Sequence, residues 1–307
     1  MKNKDKYRQF CYENQNIPVF SQFWWLDSVS QDGNWDVVLY EEDKKIIGAF
    51  PFFLKKKNIF NLITLPKFTQ KLGPIIKDEA KEKNKILDYF IDNLPSYNYL
   101  DINWHHTYKN WLPFYWKGFT QETMYSCIIK NLKNLDQIYE NFSKNRKYDI
   151  NKSQSNKLEI KFDLDPEFFF EQHRKNLKKR NIIINYNNEF LKKIYKASLE
   201  NNSGKLLGIF DKDNNCLSIC FLLWDKNYAY LVALSSDPSK LKSGATSRLI
   251  YESLNFLKDK SQNFDFEGSM NKNIYSFYRS FGSERYEYFK IRNFKPRFLK
   301  IFYEIIK

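Results

Sequence analysis

The sequence offers no disulfide framework and no metal-binding pattern. Its cysteines, Cys11, Cys127, Cys216 and Cys220, form no C-x-x-C pair. Its histidines, His105, His106 and His173, lack metal-ligand spacing, so no metal is expected. Few cysteines without a framework fit a reduced, cytoplasmic protein. Long apolar runs are missing too. The longest, 46–54, is far too short to span a bilayer. The opening MKNKDKYRQF has no apolar core, so no signal peptide is expected. Familiar catalytic signatures are also absent. No G-x-S-x-G, Walker loop or H-E-x-x-H occurs, and Gly33, Gly48 and Gly73 form no dinucleotide fingerprint.

Aromatic residues and positive charge are abundant. Aromatics make up 18% of the chain, with 28 Phe and 21 Tyr, which suits β-rich packing. Lys and Arg outnumber Asp and Glu by 50 to 36, a formal net charge of +14. That excess favours anionic partners such as phosphates, nucleic acid or a membrane surface. Abundance of Lys, Asn, Ile, Phe and Tyr together is an alternative, compositional source of the charge. The tail, 294–307, mixes Arg297 and Lys300 with Phe298, Ile301, Phe302 and Ile305. Ordinary packing is its first reading, and peripheral contact with the inner membrane face the second.

At 307 residues the chain accommodates two ordinary domains. A short helix over 21–30 precedes a hairpin of strands 35–41 and 45–54. A third strand over 58–65 follows, then a helix over 79–91, a strand over 97–103, a short aromatic helix or turn over 108–116 and a strand over 123–130. In the second half a helix is expected over 134–147 and a strand over 157–162. Asp165 is then an N-cap with Pro166 at the first helical position. Another helix covers 189–201. Strands follow at 205–210, 216–224 and 228–234, then a helix over 245–258.

Residues 263–291 read as strand, turn, helix and strand. Gly268 permits a turn that a Cβ would resist. Ile274, Phe277, Tyr278 and Phe281 share a helical face, and Gly282 stands where a C-terminal cap belongs. The acids Asp265 and Glu267 close the first strand, at the kind of carboxyl end where sites gather. The first half echoes this order. Tyr99–Asn103 parallels Phe264–Gly268, and Leu112–Phe119 parallels Ser276–Gly282. The echo is a weak internal duplication and predicts two similar domains, 1–133 and 134–307.

The string DFEGSM followed by FYRSFG resembles the GNAT superfamily of acyltransferases, and within it the Fem-type (FemAB-like) enzymes with two such domains in tandem. The resemblance implies an α/β (α+β) fold in which each domain is a mixed, mostly antiparallel sheet flanked by helices. It implies an acyl or aminoacyl transfer onto an amine of a cell-envelope precursor, of peptidoglycan or surface polysaccharide. In the family the acyl group lies where two parallel strands splay, here 228–234 and 264–267. Glu267 is then the candidate base, with Asp265 second, and Tyr278 the candidate acid. A core tyrosine and two turn-capping acids are the competing readings.

The family's coenzyme A loop has the form Gln/Arg-x-x-Gly-x-Gly/Ala. The matching stretch, 235–246, ends correctly in Gly244 and Ala245 but carries Lys242 where the first Gly belongs. Weak or absent acetyl-CoA binding is therefore expected. Lys240, Lys242, Ser243, Thr246 and Arg248 remain candidates for phosphate contacts, or the stretch is an ordinary solvated loop. No tightly bound cofactor is implied. The co-substrate would be aminoacyl-tRNA or an acyl thioester, on coenzyme A or an acyl carrier.

Arg146 and Lys152 match the family's R-x-x-x-I-x-K pattern, which implies contact with a phosphorylated acceptor or an RNA end; a solvated helix face is the alternative. Trp104 and Tyr115, in an aromatic cluster, suit stacking on sugars or bases, and core packing explains them equally well. His173 reads as an exposed helix residue. Two rival functions stand beside this one: a small-molecule N-acetyltransferase, and a non-catalytic anion or nucleic-acid-binding protein on the same scaffold.

Overall fold

The computed structural model describes residues 2–268, 270–296 and 298–299. The expectation for the tail falls largely outside them. The chain divides into two compact units, Met1–Met124 with Glu287–Lys307, and Tyr125–Tyr286.

The first unit begins with two helices, α1 (Asn3–Glu13) and α2 (Phe23–Val29). Its strands are β1 (Asn34–Glu42), β2 (Lys45–Lys57), β3 (Phe60–Thr64) and β4 (Ile75–Ile76). Helix α3 (Lys83–Asp92), strand β5 (Tyr99–Asn103) and helix α4 (Leu112–Trp116) follow. Strand β6 (Thr120–Ile129) carries the chain into the second unit. Helix α1 was not legible in the polar opening. It forms because Tyr7, Phe10 and Cys11 fall on one face and are buried with Trp35, Val37 and Phe53. Burial of such a face outweighs weak local propensity.

The second unit opens with α5 (Leu135–Glu140) and α6 (Lys144–Ser155). A single helix was expected over 134–147. The break has a local cause. Ser143 caps α6, its hydroxyl accepting from Arg146 N at 3.4 Å, while its own amide donates to Ser280 O at 2.9 Å. Strand β7 (Glu159–Phe162) and helices α7 (Pro166–Lys178) and α8 (Asn188–Glu200) come next. Asp165 caps α7 as its sequence predicts, accepting from Phe168 N at 2.9 Å. Strands β8 (Gly204–Phe210), β9 (Cys216–Trp224) and β10 (Tyr228–Ser236) lead to a 3₁₀ turn, Pro238–Ser243. Helix α9 (Ala245–Leu257), strand β11 (Asn263–Asp265), helix α10 (Lys272–Arg279) and strand β12 (Glu284–Phe294) close the chain.

Each unit contains one parallel strand pair among antiparallel ones. In the first unit β3 runs parallel to β5, and residues 290–294 of β12 pair antiparallel with β5. In the second unit β10 runs parallel to β11, which pairs antiparallel with β6, while β10, β9, β8 and β7 pair antiparallel in turn. The second strand of each pair, β5 and β11, is followed by a short helix and a glycine at positive φ, Gly118 (81°) after α4 and Gly282 (71°) after α10. The repeat of features noted in the sequence is therefore a repeat of geometry. The second core gathers Leu207, Leu222, Leu231, Leu249, Leu254 and Phe264 among others, from both strands and α9.

Candidate functional site

The site forms where β10 leaves β11. The two strands pair only over Tyr228–Tyr230 and Asn263–Asp265. The register of β10 against β9 shifts between Leu231 and Ala233, a bulge at the point where the parallel pairing stops. Beyond it β10 runs on to Ser236 with no strand on that side among the described residues. A cavity of about 520 Å³ opens there. Leu234, Leu241, Ile274, Phe277 and Tyr278 give it an apolar wall. Arg146, Arg180, Lys242 and the hydroxyl residues Ser235, Ser236, Thr246 and Ser247 give it a polar one.

Helix α6 is fixed to the start of α9 by a three-residue network. Arg146 donates to Ser247 Oγ at 2.9 Å and pairs with Asp149 at 3.0 Å. Ser247 Oγ in turn donates to Asp149 at 2.9 Å. The guanidinium also lies over the rings of Phe277 (5.1 Å) and Phe281 (5.9 Å), a cation–π arrangement. Its Nε is buried and has no hydrogen-bond partner among the described residues. The contact is possible only because residue 244 is glycine. It holds φ of +81°, and an added Cβ would stand 2.9 Å from the Asp149 carbonyl carbon and closer still to its oxygen.

The loop before α9 opens with a capped turn. Ser239 N donates to Asp237 Oδ1 at 3.0 Å and Lys240 N to Asp237 O at 3.0 Å. Ala245 N donates to Ser243 Oγ at 3.2 Å. Burial works against the Asp237 charge, but Lys179 and the Ser239 amide and hydroxyl outweigh it and hold this carboxyl at about 2. A fixed negative charge therefore begins the loop. Arg180 and Lys242 carry no carboxylate partner among the described residues, whereas Arg248 is paired with Glu252 at 2.6 Å.

The closing acids have different surroundings. Asp265 is fully buried. Its carboxylate accepts from Ser126 Oγ and from Glu267 N, the latter at 2.7 Å. That is an Asx turn, and it holds Glu267 at φ +63° and Gly268 at φ +66°. A non-glycine residue kept in the left-handed region is strained, and such strain gathers at functional positions. Glu267 is itself buried and does not line the cavity. Its charge nevertheless acts on the phenol of Tyr278. Burial first, then Glu267 and Cys127, push that phenol up to about 12. The Tyr278 ring stacks on Phe266 with centroids 4.6 Å apart.

The structure thus brings Arg146, Lys242, Gly244, Thr246 and Tyr278 around one cavity. Lys240, Ser243, Ala245 and Arg248 flank it on the loop and α9 without forming its wall. Lys152 lies one and a half turns further along α6, near Tyr148. Trp104 and Tyr115 belong to the first unit. Trp104 is a fully buried core residue and Tyr115 is exposed. His173, expected on an exposed helix face, is buried beside Tyr186, 3.2 Å from its hydroxyl, because α7 turns that face toward α8. Sequence reading missed Asp149, Arg180 and Ser247. Asp149 had a signal, since it stands one turn from Arg146. Ser247 had none, because its partners lie about a hundred residues away.

All four cysteines are free. Among the described residues no group of His, Cys, Asp and Glu could hold a metal, and no helix is long and apolar enough to cross a membrane.

No family model matches the sequence, and no curated protein matches it either. Solved structures do match. FemX superposes with a TM-score of 0.74 at 13% identity, over 93% of this chain and 95% of that one. L-PGS from Bacillus licheniformis gives 0.59 at 9%, over 94% and 90%. A tandem GNAT protein from the clavulanic acid biosynthesis pathway gives 0.57 at 7%, over 88% and 85%. At these identities the likeness is one of fold. The chain shares the fold of these structures, that of a tandem GNAT protein.

Proposed function

We propose that this chain is an acyl- or aminoacyltransferase whose donor enters the cavity of the second unit. The observation that carries the reading is that cavity itself. It opens where the parallel strands part, and its lining combines Tyr278 and apolar side chains with hydroxyls and cations. In the reaction the acceptor nitrogen bonds to the donor's acyl carbon, and the bond from that carbon to the leaving oxygen or sulfur breaks. The nitrogen gives up a proton, for which Glu267, buried outside the cavity wall, is the proposed base through an intervening water. Tyr278 is the proposed donor of a proton to the leaving group, and Asp265 is assigned to holding Glu267. Arg146 would hold a phosphate of either substrate, with Lys152 further along α6 as a secondary contact.

Two features favour an aminoacyl ester, as in aminoacyl-tRNA, over acetyl-CoA. A phenol held near 12 stays protonated at neutral pH. It is too weak an acid to protonate a thiolate, whose conjugate acid lies near about 8.5, but it suits the more basic alkoxide an ester releases. Asp237, whose carboxylate takes the Ser239 amide at the start of the loop, places a negative charge there that would oppose a diphosphate. The acceptor class, an amine of a phosphorylated cell-envelope precursor, follows from the resemblance to Fem-type enzymes, and a cytoplasmic location from the sparse, unframed cysteines.

The test offers labelled aminoacyl-tRNA and labelled acetyl-CoA to the purified protein with an envelope-precursor fraction. Label should pass from tRNA. Tyr278→Phe keeps the ring on Phe266 and should lower turnover roughly ten- to a thousandfold at an unchanged melting temperature. Turnover of acetyl-CoA alone would transfer the chain to the small-molecule N-acetyltransferases. No turnover of either, with salt-sensitive tRNA binding, would make it an anion-binding protein.

A further inference from the structure

The loop between α7 and α8 displays aliphatic side chains where a folded chain normally hides them. Ile183 is 94% exposed and Ile182 51%. This loop is built rather than loose. At the end of α7, Ile182 N donates to Leu177 O at 3.0 Å and Asn181 N to Lys178 O at 3.0 Å, with Asn181 at φ +58°. That pair of bonds around a left-handed residue is a Schellman closure. It stops the helix and sends the next residues outward. The loop is also tied to the turn before α9. Lys179 pairs with Asp237 at 2.8 Å, and Arg180 donates to Ser236 O at 3.4 Å. That turn displays its own aliphatic residue, Leu241, 56% exposed, and Ile274 on the same cavity is 44% exposed.

Cations stand close to these apolar groups along the chain. Lys175, Lys178 and Arg180 precede the isoleucines, and Lys240 and Lys242 flank Leu241. None of the five has a carboxylate within ion-pair distance among the described residues. Exposed aliphatic tips accompanied by lysines and arginines without carboxylate partners are the chemistry that meets an anionic bilayer surface. The aliphatics enter the headgroup–acyl boundary while the cations meet lipid phosphates. A nucleic acid would use the cations but has no need of exposed isoleucine, since it is gripped by charge and by aromatic stacking.

We propose that Ile182, Ile183 and Leu241, with Lys175, Lys178, Arg180, Lys240 and Lys242, form a docking surface for an anionic membrane. Arg180, Leu241 and Lys242 also line the cavity. Docking would therefore bring the cavity mouth to the lipid headgroups. Resting on the transferase reading, this makes one of the two substrates a lipid-borne one, presented at the bilayer.

The experiment is vesicle flotation of the full chain, which needs no turnover and so stands or falls apart from the transferase reading. Vesicles of phosphatidylcholine alone are compared with vesicles containing phosphatidylglycerol. The protein should float with the anionic vesicles only. The double variant Ile182→Ser, Ile183→Ser should lose roughly tenfold to a hundredfold in binding, because two aliphatic insertions are removed. Its melting temperature should not change, as both side chains are exposed. Ile183→Trp should bind and shift its fluorescence to the blue on anionic vesicles. Failure of the wild type to float, or equal flotation of the double variant, overturns the proposal. So does a wild-type dimer in vesicle-free solution that the double variant dissociates, or a loss of tRNA binding in that variant with flotation intact.

Discussion

Replacing Gly244 with alanine tests the geometry at the cavity directly. The residue holds φ of +81°, a region in which a Cβ costs about 1–2 kcal/mol. The new methyl would also meet backbone, not a side chain that can swing away. It would stand 2.9 Å from the Asp149 carbonyl carbon and 3.2 Å from its Cα. Relief requires α6 to move off the start of α9, and overpacking of this kind costs about 1–3 kcal/mol. The sum, roughly 2–5 kcal/mol, is a large share of an ordinary domain's stability. For a unit of this size it should lower the melting temperature by roughly 5–15 °C. The same movement would pull Arg146 and Asp149 away from Ser247. Scanning calorimetry gives the first quantity, and affinity for the donor found by the transfer assay gives the second. A Gly244→Ala protein that melts within a degree of the wild type, with unchanged donor affinity, would refute the argument. It would mean that α6 does not approach the α9 terminus as described.

Asp265→Ala should lower the melting temperature by several degrees, since two charge-assisted hydrogen bonds worth about 1.5–3 kcal/mol each are lost from a buried site. Loss of turnover at an unchanged melting temperature would instead give Asp265 a chemical role. Burial depresses His173 to about 4, and burial with Lys71 and Lys109 depresses His106 to about 3. The unfolded chain therefore takes up protons first as pH falls below about 6.5, and stability should fall from there toward pH 4. His173→Gln should remove part of this slope, on the order of 3 kcal/mol across the window. Denaturant titrations at pH 7, 5.5 and 4.5 read it, and parallel curves for variant and wild type would contradict the burial of His173.

Much of the fold was legible because it rests on local patterns. The hairpin of β1 and β2 follows from two apolar stretches on either side of a polar turn. The cap of α7 follows from Asp165 with Pro166. The paired motifs around β5 and β11 announced two similar units, and the chain from Phe264 to Gly282 pointed to the cavity wall at Tyr278. Each of these signals spans fewer than about twenty residues, within reach of hydrophobic periodicity and turn chemistry.

What tertiary structure alone decided involves partners far apart along the chain. The α6 network joins Arg146 and Asp149 to Ser247 across about a hundred residues. The end of β12 pairs with β5 and brings Arg292 to Asp101, 191 positions apart. Asp265, equally plausible in sequence as a base or a turn cap, is a buried acceptor for Ser126, 139 positions away. His173 looked exposed in a basic run, yet burial made it neutral. The physical reason is common to all four. A side chain's chemistry depends on its desolvation and on the charges and donors beside it. Local sequence sets which face of a helix or strand it occupies, but only the packed fold sets what that face meets.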